Sequence, residues 1–369
     1  MVEDDGTFRI VGLRPWSVFI PILAAAAIFA GKPDSLALTA ICALLLGGAI
    51  LAAVYHAEVL AHYLGEPYGT LTLALAVTVI EVSLIVSIML SDGAAAQALA
   101  RDTLIAAIMI TINAIVGMCM LVGGGRHHEQ TYTQSGVSAG LAILATLAVL
   151  TLVLPNFTTS AGGPFYATEQ LVFVAVVSLI LYGTFVVAQT IRHKEHFLHE
   201  RAEQGAEEDQ AAPRAPVRNH KAVAAALALL IALVGVVLFA KNLSPAIEAG
   251  VAAAGAPRAL VGIIIAALVL APEGFAALAA ARANRVQTSL NLAIGSALAT
   301  IGLTIPAVAL VALALDLDLE LGLSMKATVL LALTLLVSTI TLSRGRTTVV
   351  QGIIHLVIFA TYLFTTIVP

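Results

Sequence analysis

The chain has 369 residues, 60% of them apolar and only 11% charged, with 18 basic against 22 acidic side chains and a mean hydropathy of +1.01. A water-soluble globule of this length needs about a quarter of its residues charged, so the composition excludes one and describes an integral membrane protein. The formal net charge of −4 comes without any basic stripe, which leaves no electrostatic footprint for nucleic acid.

A membrane-spanning helix needs about 20 mostly apolar residues, because lipid offers no partner for backbone N–H and C=O groups. Eleven stretches qualify, over 16–31, 36–63, 69–91, 103–123, 135–154, 169–192, 221–243, 257–281, 287–314, 323–342 and 348–368. The first is short and has the look of a signal-peptide core, but Pro15 and Pro21 flank it and no persuasive small-residue cleavage site precedes a soluble domain, so it is expected to stay as a membrane helix. The seventh is expected to break at Ser244-Pro245 and resume as a half-helix through Ala254. Cys42 and Cys119 lie within apolar runs and read as buried thiols, with no disulfide framework.

With the N-terminus in the cytoplasm, thirteen of the eighteen basic residues fall in inside loops, while Asp316, Asp318 and Glu320 fall outside with Arg101 and Lys326. The positive-inside bias therefore supports this orientation, with the C-terminus outward. One segment looks soluble, between spans six and seven. It divides the chain into residues 1–34 (N-terminus and first helix), 35–192 (five helices), 193–220 (linker) and 221–369 (five helices). An odd number of spans per set inverts the second set relative to the first. The expected fold is thus an all-α polytopic membrane protein of about eleven transmembrane helices, built as two inverted five-helix repeats plus an N-terminal helix. Glu58, Gly65 and Pro67 recur at the same spacing as Glu248, Gly255 and Pro257, and each set leads into an apolar helix with one buried acid.

Those acids are Glu81 and Glu273. A carboxylate at a helix centre in lipid costs about 2.5–3.5 kcal/mol on insertion scales, so it normally marks a functional site. Glu273 sits in Ala271-Pro272-Glu273-Gly274, where proline removes a backbone donor and leaves a carbonyl unpaired. Carboxylates with carbonyl oxygens suit a hard cation such as Ca2+. Two buried acids brought together at the midplane either hold two protons or lose them to a dication, and that exclusion is a physical basis for exchange. Further oxygen ligands are expected from Thr78, Thr111, Asn113, Asn291, Ser296 and Thr300, with Thr304 beside them. Gly295 and Gly302 are expected to let their helix approach its neighbours. Glu58 and His62, one turn apart near a helix end, read either as an ion or proton entry station or as a solvated helix end.

The runs His62-Tyr63-Leu64-Gly65-Glu66-Pro67-Tyr68-Gly69, Ile80-Glu81-Val82-Ser83-Leu84 and Asn284 through Leu298 resemble the ChaA-type bacterial calcium/sodium–proton antiporters. These belong to the cation/proton exchanger family of the calcium/cation antiporters. The resemblance implies eleven helices in two inverted repeats, alternating access, and paired central glutamates mapping onto Glu81 and Glu273. It maps a helix-two acid onto Glu58 and a Gly-Ser pair onto Gly295 and Ser296. The chain departs where many members carry Gly-Asn before the central Glu: here stand Val77 and Thr78, then Val269 and Leu270. The missing amides leave Na+ or K+ as cargo beside, or in place of, Ca2+, and the alternative reading is a monovalent cation/proton antiporter with little Ca2+ transport.

His193, His196 and His199 share one helix face ahead of Glu203, Glu207, Glu208 and Asp209, which reads as a solvated linker or, alternatively, as a cytoplasmic pH or cation sensor. Gly136-Val137-Ser138-Ala139-Gly140 fits a hydrolase nucleophile pattern, but it opens a membrane helix rather than a strand-turn-helix. An intramembrane protease would need Ser138 or Ser296 to face His355, which no spacing requires. A transporter, not an enzyme, is expected, with no organic cofactor. Its expected partners are inorganic cations, protons and membrane lipid, with homo-oligomerisation left open.

Overall fold

The computed structural model describes residues 14–28, 35–64, 68–92, 97–192, 220–257 and 259–368. In chain order the helices are α1 (Pro15–Ile28), α2 (Leu36–Leu64), α3 (Tyr68–Asp92), α4 (Leu99–His127), α5 (Gln134–Phe157), α6 (Thr168–Arg192), α7 (His220–Ala253), α8 (Ala259–Arg282), α9 (Val286–Leu315), α10 (Met325–Leu342) and α11 (Val349–Ile367). Among the described residues nine of these are long and apolar enough to cross a membrane, while α1 and α3 contribute shorter apolar runs over Pro15–Ala27 and Leu75–Ser87. Large apolar side chains such as Leu44, Phe173, Phe275 and Leu310 stand exposed, as they must where the solvent is lipid. The protein is an integral membrane protein of helical, polytopic fold. One expectation fails in detail: α7 runs through Pro245 to Ala253 as a single helix, without the break at Ser244-Pro245. Neighbouring turns carry the helix past the missing N–H, as membrane helices tolerate.

The helices fall into two compact units. The first comprises residues 1–87 and 212–254, hence α1, α2, most of α3, and α7. Within it α1, α2 and α7 pack together on alanines: Ala24, Ala49, Ala53, Ala225 and Ala232 are fully buried. Small side chains let helix backbones approach closely where no water drives association. A Cβ on Gly48 of α2 would stand 2.8 Å from Ile20 Cγ2 of α1. The chain also keys α1 chemically. Pro21 has no N–H, so the Ser17 carbonyl four residues earlier loses its helical partner. His56 of α2 fills the gap, its Nε2–H donating to Ser17 O at 3.0 Å. Trp16 packs on Tyr55 with ring centroids 5.6 Å apart, and Arg14 lies over the same ring at 5.9 Å.

The second unit comprises residues 88–211 and 255–369. Its centre is α4 and α9, whose Leu104, Ile108, Met109, Ile112, Leu290, Leu298, Ile301 and Ile305 are fully buried. Helix α4 packs on α8 and α11, and α9 on α5, α6 and α8. A two-stranded antiparallel ladder, β1 (Gln130–Thr131) with β2 (Arg346–Thr347), joins the α4–α5 connection to the α10–α11 turn in the register Gln130 to Thr347. At the other end the α5–α6 and α9–α10 connections are tied by Asn156 Nδ2 donating to Leu323 O at 2.7 Å and by Leu323 N donating to Leu152 O at 2.8 Å. Arg101 adds ion pairs to Asp102 and Glu320 there.

Candidate functional site

Glu81 lies in α3 of the first unit and is 1% exposed, with Thr78 one turn before it also buried. Its helical neighbours Val77, Ile80, Leu84 and Ile85 are all buried apolar residues, so this carboxyl is held in a low-dielectric interior.

Glu273 lies in α8 of the second unit and is partly buried. The helix runs through Pro272, so the Leu268 carbonyl is deprived of its helical N–H one turn before the acid. Gly274 admits a neighbour: a Cβ there would lie 3.3 Å from Ile115 Cδ1 of α4. Ser296 of α9 donates its hydroxyl proton to Glu273 Oε2 at 3.2 Å. Ser296, expected as an oxygen ligand, thus stands beside one of the two acids. Helix α9 is fixed against α8 by Ser289, whose hydroxyl donates to Ala277 O at 2.7 Å.

The other expected ligands are placed less uniformly. Thr300 is buried in α9 one turn beyond Ser296, and Thr304 is buried with its hydroxyl unpaired. Asn291 accepts at Oδ1 from Gln287 Nε2 at 3.0 Å, while Gln287 Oε1 accepts from Thr133 N at 2.6 Å. That part of the Asn284–Leu298 run therefore ties the start of α9 to the residue ahead of α5, while Asn284, in the turn between α8 and α9, takes a left-handed conformation at φ +60°. Thr111 donates to Ala107 O at 2.7 Å on its own helix. Asn113 is engaged by α10 and α11: Nδ2 donates to Thr334 Oγ1 at 2.8 Å, and Oδ1 accepts from His355 Nδ1 at 3.0 Å. Thr111 and Asn113 lie in a π turn, Met109–Ile115, interrupting α4. Such turns concentrate at functional sites, because the extra residue redirects side chains. Of the two glycines, Gly302 behaves as expected, with Tyr182 Cβ of α6 2.6 Å from where its Cβ would stand. Gly295 does not, since a Cβ there would meet nothing within 4 Å. It leaves space beside Ser296 rather than admitting a helix.

Glu58 is exposed near the end of α2, and Glu248 is partly buried near the end of α7. Position 62 belongs to α2, but the His62 side chain lies outside the described residues, as do His193, His196, His199, Glu203, Glu207 and Glu208. The network around His355 was missed by sequence reasoning, although Thr334, Ser338 and Thr341 recur on one face of α10 and Gln351 stands one turn before His355 on α11. That ring faces Asn113 and Thr341, not a serine, so the protease geometry is not formed. Among the described residues there is no group of three or more His, Cys, Asp or Glu side chains placed to hold a metal ion.

The sequence profile described as sodium/calcium exchanger protein matches residues 34–191 and 224–368. The chain belongs to that family. It is an exchanger family rather than a family of enzymes, and the match falls in two stretches, one on each side of the linker. The chain is 45% identical over 360 residues to the putative ionic transporter y4hA of Sinorhizobium fredii, covering 96% of each chain. It is 38% identical over 356 residues to the sodium-potassium/proton antiporter ChaA of Escherichia coli, covering 95% of each. Its fold is similar to that of native YfkE, with a TM-score of 0.73 at 16% identity, covering 96% of this chain and 99% of that one. It is also similar to that of the H+/Ca2+ exchanger CAX, with a TM-score of 0.69 at 16% identity, covering 94% and 86%.

Proposed function

We propose that this exchanger carries a cation out of the cell as protons enter, by alternating access, with Glu81 and Glu273 as the groups that take turns between protonated and cation-bound forms. The observation that carries the reading is one mid-helix carboxyl in each half of the chain, Glu81 buried at 1% exposed and Glu273 next to a proline defect and a Ser296 hydroxyl. Five helices after the linker and five, behind α1, before it, with a family profile that matches each side, support two repeats of opposite orientation, each carrying one of the acids. Thr78, Thr300 and freed backbone oxygens would complete the coordination. Two carboxyls give about two protons per divalent cation.

Ca2+ is the first cargo by this chemistry, and Na+ and K+ are the second. The monovalent reading is favoured by the antiporter ChaA relative, described as exchanging sodium and potassium for protons, and by Val77, Thr78, Val269 and Leu270 standing where amide-bearing motifs are common. The reading puts the protein in a bacterial inner membrane, and the distribution of basic residues supports an N-terminus inside. The test is reconstitution of the purified chain into sealed vesicles with an imposed proton gradient, comparing Ca2+, Na+ and K+ for their ability to dissipate it. Glu81→Gln and Glu273→Gln should each abolish exchange with unchanged membrane insertion. Wild-type transport by both single variants overturns the assignment.

A further inference from the structure

The second unit contains a buried polar network that the exchange reading leaves without a task. Asn113, Thr334, Ser338 and His355 are fully buried, and Thr341 nearly so. Groups of this kind are expensive in a membrane interior unless they are satisfied and useful. Here they are satisfied in a directional way. A carbonyl oxygen only accepts, so the 3.0 Å contact to Asn113 Oδ1 makes His355 Nδ1 the protonated nitrogen of the ring. Nε2 lies 3.0 Å from Thr341 Oγ1, whose hydroxyl proton also reaches Val337 O at 2.8 Å. The other end of the Asn113 amide donates to Thr334 Oγ1 at 2.8 Å and to Met109 Sδ at 3.2 Å. The carboxamide stands with its oxygen toward α11 and its nitrogen toward α10.

The frame holding this ring is stiff. A Cβ on Gly352, one turn before His355, would lie 2.7 Å from Gly117 O and 2.6 Å from Leu121 N. Helices α4 and α11 therefore cross backbone to backbone. Gln351 Nε2 donates to Thr341 O at 3.2 Å, and its Oε1 accepts from Thr348 N at 2.9 Å, which ties the ring's partner to the first turn of α11.

Asn113 sits in the π turn Met109–Ile115. Two residues on is Ile115, and residues two apart lie on opposite sides of a helix. The structure bears this out: Asn113 reaches α10 and α11, while Ile115 Cδ1 packs against Gly274 of α8, beside Glu273. The π turn is gripped on one side by the polar network and presses on the backbone next to the acid with the other.

We propose that His355 is a positioning residue of the exchanger: through the Asn113 amide it fixes the π turn of α4, and through Ile115 it sets where Gly274 and the Glu273 carboxylate stand, and so the affinity and preference for the cation. The inference rests on Glu273 serving as a cation site. It is tested with the full chain purified and reconstituted in vesicles, measuring flux against Ca2+, Na+ and K+ concentration at a fixed proton gradient, with thermal unfolding of each variant in parallel. His355→Phe keeps a ring and removes both hydrogen bonds; Thr334→Val removes the hydroxyl under Asn113 Nδ2 with almost no change of shape; His355→Gln retains an N–H donor. Loss of a group that orients a ligand costs 10- to 100-fold in metal affinity, so KM for the cation should rise about tenfold in His355→Phe and Thr334→Val with a smaller change in kcat. His355→Gln should recover most of the affinity. Should His355→Phe fail to fold, Thr334→Val decides alone. Wild-type KM and cation order in the folded variants overturn the proposal, as does a His355→Gln variant no better than His355→Phe. A wild-type protein that dissipates no proton gradient with any of the three cations overturns the exchange reading itself, a distinct result.

Discussion

The Ser17–His56 hydrogen bond offers a sharp test of how α1 is held. Pro21 leaves the Ser17 carbonyl without its helical donor, and His56 Nε2 supplies one at 3.0 Å from α2. His56 and Ser17 are both fully buried. Removing one partner of a buried hydrogen bond costs about 1–3 kcal/mol, because the orphan keeps its desolvation penalty. His56→Leu should therefore destabilise the purified chain by that amount plus a packing contribution of its own. Pro21→Ala separates the two, since it restores an N–H at position 21 that can reach Ser17 O within α1. In the Pro21→Ala background the carbonyl is no longer orphaned, and the cost of His56→Leu should fall by about 1 kcal/mol or more, while the packing contribution cancels in the cycle. Equilibrium unfolding of the four proteins in mixed micelles gives the coupling directly. An equal cost of His56→Leu in both backgrounds would refute the idea that the histidine is there to serve the proline's carbonyl.

Gly302→Ala and Gly295→Ala, seven residues apart on α9, should act in opposite directions. The first drives a methyl to 2.6 Å from Tyr182 Cβ, an overpacking worth about 1–3 kcal/mol. The second meets nothing within 4 Å and gains about 0.5–1 kcal/mol of helix propensity; unfolding midpoints that rank the two the other way would contradict the packing described. Tyr166, between α5 and α6 and outside the membrane spans, has its phenol pushed up to about 12 by burial, and its hydroxyl donates to Leu150 O. A pKa raised in the folded state means that the stabilisation is fully present below the unfolded value near 10 and is lost as pH rises through the folded one. Tyr166→Phe should thus lower stability at neutral pH by about 0.5–1.5 kcal/mol and flatten the alkaline part of the pH–stability curve. An unchanged alkaline slope would remove Tyr166 as its source.

Much of this molecule is legible in its sequence, because lipid imposes one rule on every segment. The apolar runs located the helices to within a few residues, and the isolated acids in those runs, Glu81 and Glu273, do lie within helices. What periodicity and spacing could not reveal is which polar groups satisfy each other. Asn113 and Ser296 look equivalent in the sequence, as oxygen-bearing residues inside apolar helices. In the structure Ser296 meets Glu273, and Asn113 meets Thr334 and His355, more than 200 positions away in the chain. The π turn decides the second pairing, and a one-residue bulge leaves no mark on a hydropathy pattern. Gly295 and Gly302 show the same limit: both were expected to admit a helix, and only the side chain that arrives opposite, Tyr182, tells them apart.

The prolines bring these observations under one physical heading. Each proline inside a membrane helix deletes one N–H and leaves one carbonyl, four residues back, with unspent acceptor capacity. In lipid that capacity has to be met from elsewhere, so where neighbouring turns do not absorb it, as they do at Pro245, a helical proline recruits a donor or marks a place where a cation or water is welcome. The chain shows the first outcome at Pro21, where a histidine from the next helix is committed to the carbonyl. Pro272 presents the second in the making. The carbonyl it frees belongs to Leu268, on the same helix as Glu273 and about one turn away from it, which is where a cation leaving water would find oxygen without the cost of another buried charge. By this argument Pro272→Ala, which restores the N–H, should weaken cation binding while stabilising the helix, whereas Pro21→Ala should leave the affinity for every cation unchanged. If the two substitutions had the same effect on cation KM, a proline's position relative to an acid would carry no meaning here, and the site would have to be built from side chains alone.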